Sequence, residues 1–310
     1  FKQPNPTMKH NQDWTEVDLE VLRSNGTPVT SYKPTGDRQV YDTEYTDWGT
    51  PEKPDSARNH YRIAWRRMAA NTGQRTLIPT LIPPGAAHVN AVLSAAFTDS
   101  RELVLSLGTL GSLVADFGVR VSPKGDIWPA TIERLPRLTN ETIIDAVVDR
   151  TLRLNCLTDA YAPIWEELMG ELWTVESPLR NARQRRQALV EIDALVALDL
   201  GITAEQLSTL YRTQFPVLYG YDRTRDHYDN NGRLVHKDVM KVWKKDGDNI
   251  DPEDLKWTHP LSGVEYTYEL PFKTLDREED MTRAYNNFQA DLEAGRPIRP
   301  LDLTVAHIEQ

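Results

Sequence analysis

Apolar and polar positions divide the chain into stretches of different period. Residues 1–57 are polar and punctuated by Pro28, Pro34, Gly36, Gly49, Pro51 and Pro54. That pattern predicts loops around short strands such as 39–45, arranged as a wrapping extension. In residues 57–68 the apolar positions Tyr61, Ala64, Trp65 and Met68 recur at helical spacing, although Trp and Tyr suit a strand almost as well. Residues 76–82 form a β-branched and leucine run closed by Pro83, Pro84 and Gly85, which reads as a strand followed by a rigid turn. Residues 103–121 are mostly apolar with three glycines, and periodicity leaves open a buried helix flanked by strands or strands throughout. Residues 127–135 read as another strand, ended by Pro136.

Beyond Pro136 the period becomes helical. Thr139 is a candidate cap for a helix over 143–154, and a shorter helix is expected over 160–169. The clearest element is 178–200: Ser177 caps it, Pro178 occupies the first turn, Gly201 stops it, and Leu179, Ala182, Leu189, Ile192 or Asp193, and Val196 form its apolar stripe. Thr203 with Gln206 has the spacing of a capping box for a helix through Tyr211. Asn230, Asn231 and Gly232 predict a turn into 233–242, and 244–268 is loop-rich. Residues 276–294 read as a charged helix docking through Met281, Tyr285 and Phe288, and the residues from Gly295 on, with Pro297 and Pro300, as a tail.

Composition bounds the function. At 310 residues the chain can bury a substantial core and hold two domains, or one with long extensions. No apolar run approaches the roughly 20 residues that cross a bilayer, and the one cysteine, Cys156, builds no disulfide framework, so a cytoplasmic protein without a membrane partner is expected. No signal peptide is visible, and a chain beginning at Phe1 reads as a piece of something longer. The net charge of −10 counts against a surface uniformly suited to nucleic acid. The charges are segregated, however: residues 58–75 contain Arg58, Arg62, Arg66, Arg67 and Arg75 and no acid, whereas 1–57 is acidic. A local field of that kind is what attracts phosphates.

Enzymatic motifs are absent. A base methyltransferase needs a glycine-rich turn for its sulfonium cofactor and an Asn or Asp followed by Pro-Pro-aromatic, and Ile82-Pro83-Pro84-Gly85 lacks both the acceptor and the aromatic of the latter. There is no phosphate-binding loop of the Walker type and no His-Glu-x-x-His, and the seven histidines are dispersed. Asp251, Asp254 and Lys256 have the composition of a metal-dependent nuclease site, but they stand beside Pro252 without strand alternation and read as a solvated loop; Asp226 with Asp229 reads likewise. No catalytic, metal or cofactor-binding residue is assigned.

The chemistry that is present suits DNA. The five arginines with His60, Tyr61 and Trp65 can bind phosphate or guanine edges and brace the backbone. The alternative is a solvent-facing polar side with Trp65 and Met68 in the core, and Trp65 is expected in the core on either reading. A second run, Arg180, Arg183, Arg185 and Arg186, lies in the early turns of the long helix, where cations oppose the dipole and require phosphate or neighbouring acids. Lys124 beside Gly125 forms a turn tip able to enter a groove, as do His88 and Asn90 after the Pro-Pro-Gly turn, where Asn suits adenine.

Tyr61-Arg62-Ile63-Ala64-Trp65-Arg66-Arg67-Met68, Arg75-Thr76-Leu77-Ile78 and Ile82-Pro83-Pro84-Gly85-Ala86-Ala87-His88 together resemble the target-recognition region that follows the catalytic domain in large adenine-specific DNA methyltransferases. These are of the Eco57I type, from restriction-modification and related phage-defence systems. Leu154-Asn155, residues 158–165, 191–197 and 211–215, and the passage through Leu135-Pro136-Arg137-Leu138 into helices add to the resemblance, which covers 58–220 and, loosely, 276–290.

The resemblance implies an α+β fold, a mixed sheet carrying recognition loops followed by a helical subdomain. It divides the chain into a polar extension (1–57), a sheet-rich DNA target-recognition domain (58–137), a helical subdomain (138–215) and a loop-rich extension with a docking helix (216–310). It also implies double-stranded DNA as ligand. S-adenosylmethionine binding and methyl transfer to adenine N6 would fall to an N-terminal methyltransferase domain of the parent protein, leaving this chain without activity alone. Arg62, Arg66 and Arg67 are the foremost expected DNA contacts, replaceable by alanine with little loss of folding. Two other readings stay open: a protein-interaction or scaffold module of a defence complex, with proteins of that system as partners, and a divergent metal-dependent nuclease.

Overall fold

Strands and loops occupy the N-terminal part of the chain and helices most of the rest, the α+β architecture expected. The computed structural model describes residues 2–5, 9–10, 13–29, 36–44, 48–122 and 125–301. Two short antiparallel ladders, β1 (Lys2–Pro4) with β2 (Trp14–Glu16) and β3 (Trp48–Thr50) with β4 (Lys53–Asp55), flank helix α1 (Arg38–Glu44). Helix α1 replaces the strand expected over 39–45, of which Tyr45 lies outside the described residues. The Asp37 carboxylate accepts from the Gln39 N–H at its start, and Thr43 Oγ1 donates back to the Gln39 carbonyl one turn earlier, local bonds that favour a helical turn.

The main sheet has the order β6 (Pro79–Ile82), β5 (Arg62–Arg66), β7 (Val92–Ala96), antiparallel on both sides. Residues 62–66 are thus a strand, although their apolar spacing also fitted a helix. Ile63 and Trp65 alternate onto the core side, and the Trp65 indole N–H donates to the Ile127 carbonyl at 2.8 Å. Met68, placed in the core by one sequence reading, is 62% exposed. The turn after β6 forms as expected: Gly85, at φ +87°, donates its N–H to the Arg58 carbonyl.

Helices α2 (Ser100–Leu110) and α3 (Leu113–Arg120) occupy the ambiguous apolar stretch. Asp99 and Ser112 cap them through the Glu102 and Ala115 N–H groups. Residues 127–135 are not a strand. Trp128 leads into the short helix α4 (Pro129–Ile132), whose first-turn proline lacks the donor a strand ladder would use. Helix α5 (Glu141–Asn155) is capped by Asn140 rather than Thr139, since the Thr139 and Asn140 N–H groups are engaged by the Asp199 carboxylate. The Gly108 Cα lies so close to α5 that a Cβ there would stand 2.2 Å from Thr151 Oγ1, so the α2–α5 contact requires glycine.

Helix α6 (Ala162–Met169) ends at Gly170, and α7 (Ala182–Asp199) begins four residues later than expected, capped by Asn181. Its apolar stripe is also broader than expected, because α7 is the central helix. Val190, Ile192, Ala194, Leu195, Val196 and Ala197 are all buried, while Leu189, assigned to the stripe, is 38% exposed. The Thr203–Gln206 capping box opens α8 (Ala204–Gln214), and α9 (Pro216–Gly220) runs on into a single π-helical turn, Tyr221–Arg225. Helix α10 (Lys237–Asp246) and the ladder β8 (Lys256–Thr258) with β9 (Glu265–Thr267) enclose a small separate core of Val235, Val239, Met240, Ile250, Tyr268 and Phe272. Helix α11 (Arg277–Glu293) docks as expected through Met281 and Phe288, with Tyr285 partly buried. The segment after it packs back: Arg296 and Arg299 hold Asp291, and Leu301 is buried. Among the described residues no single helix is long and apolar enough to cross a membrane.

A buried charged network ties sheet to helices. Asp116 on α3, fully buried, accepts hydrogen bonds from the Thr76 and Leu77 backbone N–H groups and from Arg75 Nε at 2.7 Å. On α7, Asp193 accepts from the Leu113 N–H at 2.7 Å and lies 3.9 Å from Arg277. Arg277 is bound in turn to Asp222, which also receives the Tyr211 hydroxyl.

Burial lifts the Asp193 carboxyl to about 6, against the pull of Arg75 and Arg277. A carboxyl whose affinity for protons is higher in the folded chain than in the unfolded one favours folding less as pH rises from about 4 through about 6. Asp193→Asn keeps the acceptor and removes the titration. Its stability relative to the parent should rise by up to about 3 kcal/mol over that interval, which urea denaturation at pH 4 and pH 6.5 measures; a pH-independent difference would contradict it.

Candidate nucleic-acid interface

Of the eleven residues singled out from sequence, the structure directs four arginines inward. Arg58 is buried and paired with Asp42 at 3.1 Å. Arg75 is held by Asp116 and by the Gly111 carbonyl at 2.6 Å. Arg180 gives its donors to the carbonyls of Val175, Leu19, Leu22 and Leu157. Arg62 is 4% exposed and donates to the Ala86 carbonyl and the Ser94 hydroxyl, so it fastens the 83–88 turn to the sheet. These guanidiniums hold the fold together, and the expectation that Arg62 could be removed with little loss of folding is corrected on that ground.

The second basic run is resolved in the same way. Arg185 donates to the Leu154 and Leu179 carbonyls, and desolvation lowers its proton affinity to about 10. Arg186 pairs with Asp280 at 2.6 Å. Arg183 is half-buried against the Gly232 turn, its backbone N–H bound to the Gly232 carbonyl. His60 bonds Asp55 at 2.9 Å beside Trp48. Lys124 lies outside the described residues.

Arg66, Arg67, His88 and Asn90 remain: Asn90 precedes Ala91, which bonds Arg67 at one end of the sheet, and His88 lies over its middle at Ser94. In β5, Arg62, Ala64 and Arg66 share the face opposite Ile63 and Trp65. Register places Thr80 and Ser94 beside Ala64 on that outer face, and Val92 beside Arg66. His88 reaches over it to Ser94 Oγ at 2.7 Å, and desolvation, with the Arg62 charge nearby, lowers its affinity for a proton. Asn90 is exposed, with no hydrogen bond from its amide among the described residues.

Past Arg66 the chain continues between two loops: the Arg67 N–H donates to Ala91 on one side, and the Arg67 and Ala69 backbones bond Ile127 and Gly125 on the other. Arg67 lies 3.6 Å from Asp126 and 5.8 Å from the centre of the Trp128 ring. Arg66 is half-exposed and makes no hydrogen bond or ion pair among the described residues. The Nε–H groups of Arg66 and Arg67 are buried without an acceptor among the described residues, as are those of the ion-paired Arg120 and Arg186.

Met68 and Trp128, 62% and 47% exposed, border these guanidiniums. Sequence reading missed Trp128 by assigning it to a strand, although it stands only three residues after the turn tip at Gly125. Residues 58–137 carry ten basic and five acidic side chains, a local excess of five positive charges in a chain of net charge −10. Among the described residues no three His, Cys, Asp or Glu side chains group closely enough to hold a metal ion, so the carboxylates considered for nuclease chemistry are not brought together.

Comparison with known proteins adds no identity: no family model, no curated protein and no solved structure matches the chain.

The two classes of arginine should separate on substitution. Arg62→Ala removes the clamp on the 83–88 turn and is expected to lower stability by about 1–3 kcal/mol, whereas Arg66→Ala should stay within about 0.5 kcal/mol of the parent. Equilibrium denaturation of the two single variants checks this, and equal losses would refute the division.

Proposed function

We propose that this chain binds double-stranded DNA and takes part in choosing its target sequence, with methyl transfer from S-adenosylmethionine left to a separate methyltransferase domain of the parent protein. The observation that carries the reading is the end of the main sheet. There Arg66 has no side-chain partner among the described residues, Arg67 has a carboxylate at 3.6 Å and the Trp128 ring, and Asn90 lies exposed in the adjoining loop with His88 nearby on Ser94. Guanidiniums in this setting suit phosphate oxygens or the O6 and N7 acceptors of guanine. The free Asn90 amide offers the paired donor and acceptor that adenine presents in the major groove. Phosphate contacts would set the register of the protein on the duplex, and the loop would supply discrimination between bases.

A second reading has its own support. Met68 and Trp128 form an exposed apolar pair beside the arginines, a combination also found where proteins bind one another. A scaffold role in a defence complex would use that pair and leave the arginines as a polar rim.

Salt dependence separates the two. Duplex binding followed by fluorescence anisotropy from 50 to 200 mM salt should weaken steeply in the parent chain. The Arg66→Ala/Arg67→Ala double variant should bind roughly tenfold or more weakly at the low-salt end, with a slope reduced by about two. Affinity unchanged by the double substitution would sink the DNA reading at this site.

A further inference from the structure

We infer that helix α10 is a second phosphate-binding element, a lysine stripe that runs along the backbone of duplex DNA. The inference rests on the reading of the chain as a DNA-binding protein, but on a different part of the molecule. Lys237, Lys241, Lys244 and Lys245 are all exposed. At 100° per residue they fall within one arc of about 100° on the helix surface. The opposite side is committed to the small third core: Val239 and Met240 are buried, and Val242 and Trp243 pack against them. The stripe cannot turn inward without dismantling that core.

Elsewhere most helical cations are held internally. Arg101, Arg120, Arg150, Arg153, Arg186 and Arg277 each face a carboxylate, and Arg185 donates to backbone carbonyls. On α10, among the described residues, only Lys245 has a carboxylate partner, Asp246 at 3.7 Å. Lys237, Lys241 and Lys244 make no hydrogen bond or ion pair among the described residues. The helix dipole accounts for lysines in the last turn but opposes Lys237 in the first, and Lys237 repels Lys241 one turn on. Helix stability therefore does not explain the arrangement, whereas an external row of anions does.

Geometry selects the kind of anion. From Lys237 to Lys244 the helix advances about 10 Å, close to the axial rise spanned by four successive phosphates of one DNA strand. A membrane surface would call for apolar side chains flanking the lysines, and those of α10 point into the core instead. Lysine acts here as a point charge toward phosphate, so the element would add affinity without choosing sequence.

The test uses the full chain and a mixed-sequence duplex, titrated from 50 to 200 mM salt. The variants are Lys237→Gln/Lys241→Gln/Lys244→Gln and the corresponding triple substitution to arginine, with circular dichroism to confirm folding. The glutamine variant should lose about two to three units of the log-affinity against log-salt slope, and the arginine variant should keep the parent slope. If the parent binds and the glutamine variant retains its full slope, this inference is overturned while the sheet-end site stands. If the parent binds no duplex, both readings fall. Capture of anionic phosphatidylserine vesicles or of a polyglutamate peptide through the same lysines, with the duplex slope unchanged, would also overturn it.

Discussion

The carboxylate of Asp116 is the constraint on which the rest of the arrangement depends. It has no solvent, and its oxygens are satisfied by backbone donors of the segment entering β6 and by Arg75. A charge buried in this way is tolerated only with its full set of partners, and removing one partner of such a pair is strongly destabilising. Position 76 is thereby fixed against α3, and the sheet is fixed with it. The same logic passes through Asp193, which receives the first N–H of α3, and on to Arg277 and Asp222, so that α7, α11 and the π-helical turn share one set of interdependent contacts. Sheet and helices cannot shift independently without orphaning a charge.

This explains why the arginine content was misleading as a guide to the surface. Sequence shows that Arg58 and Arg75 lie in a segment free of acids, but their partners Asp42 and Asp116 come from elsewhere in the chain. Distance along the chain conceals that compensation. Local signals fared better where the bonds are local: the Thr203–Gln206 box, the stop at Gly201 and the docking face of α11 were all legible because each is decided within a few residues. Residues 62–66 were ambiguous for a physical reason. Both faces of β5 are covered, one by the core and the other by the 83–88 turn, so Arg62 and Ala64 are as buried as Ile63 and Trp65 and alternation in polarity is lost. Around 127–135 the proline at 129 held the answer, and the apolar run outweighed it.

The candidate site was legible in half. Its location near the Arg58–Arg75 segment and the loop after Pro84 could be read from charge and turn chemistry. Which guanidiniums face outward could not, because that depends on the pleat of β5 and on which carbonyls lie within reach. Arg66 and Arg67 stand at the point where the strand runs out of paired neighbours, and there the chain has few internal acceptors left to offer them.

The attachment of residues 13–29 carries a consequence for the order of events during folding. Glu20 is bound by Arg233, and Asp18 by Ser262 and Tyr266, across separations of 213, 244 and 248 residues. These are among the least local contacts in the chain, and their closure entropy must be met before they return anything. Asp18 and Glu20 therefore stay without these partners until the segment carrying Arg233, Ser262 and Tyr266 has taken its place. The segment around them closes over a body already formed, so its seating is a late step of folding.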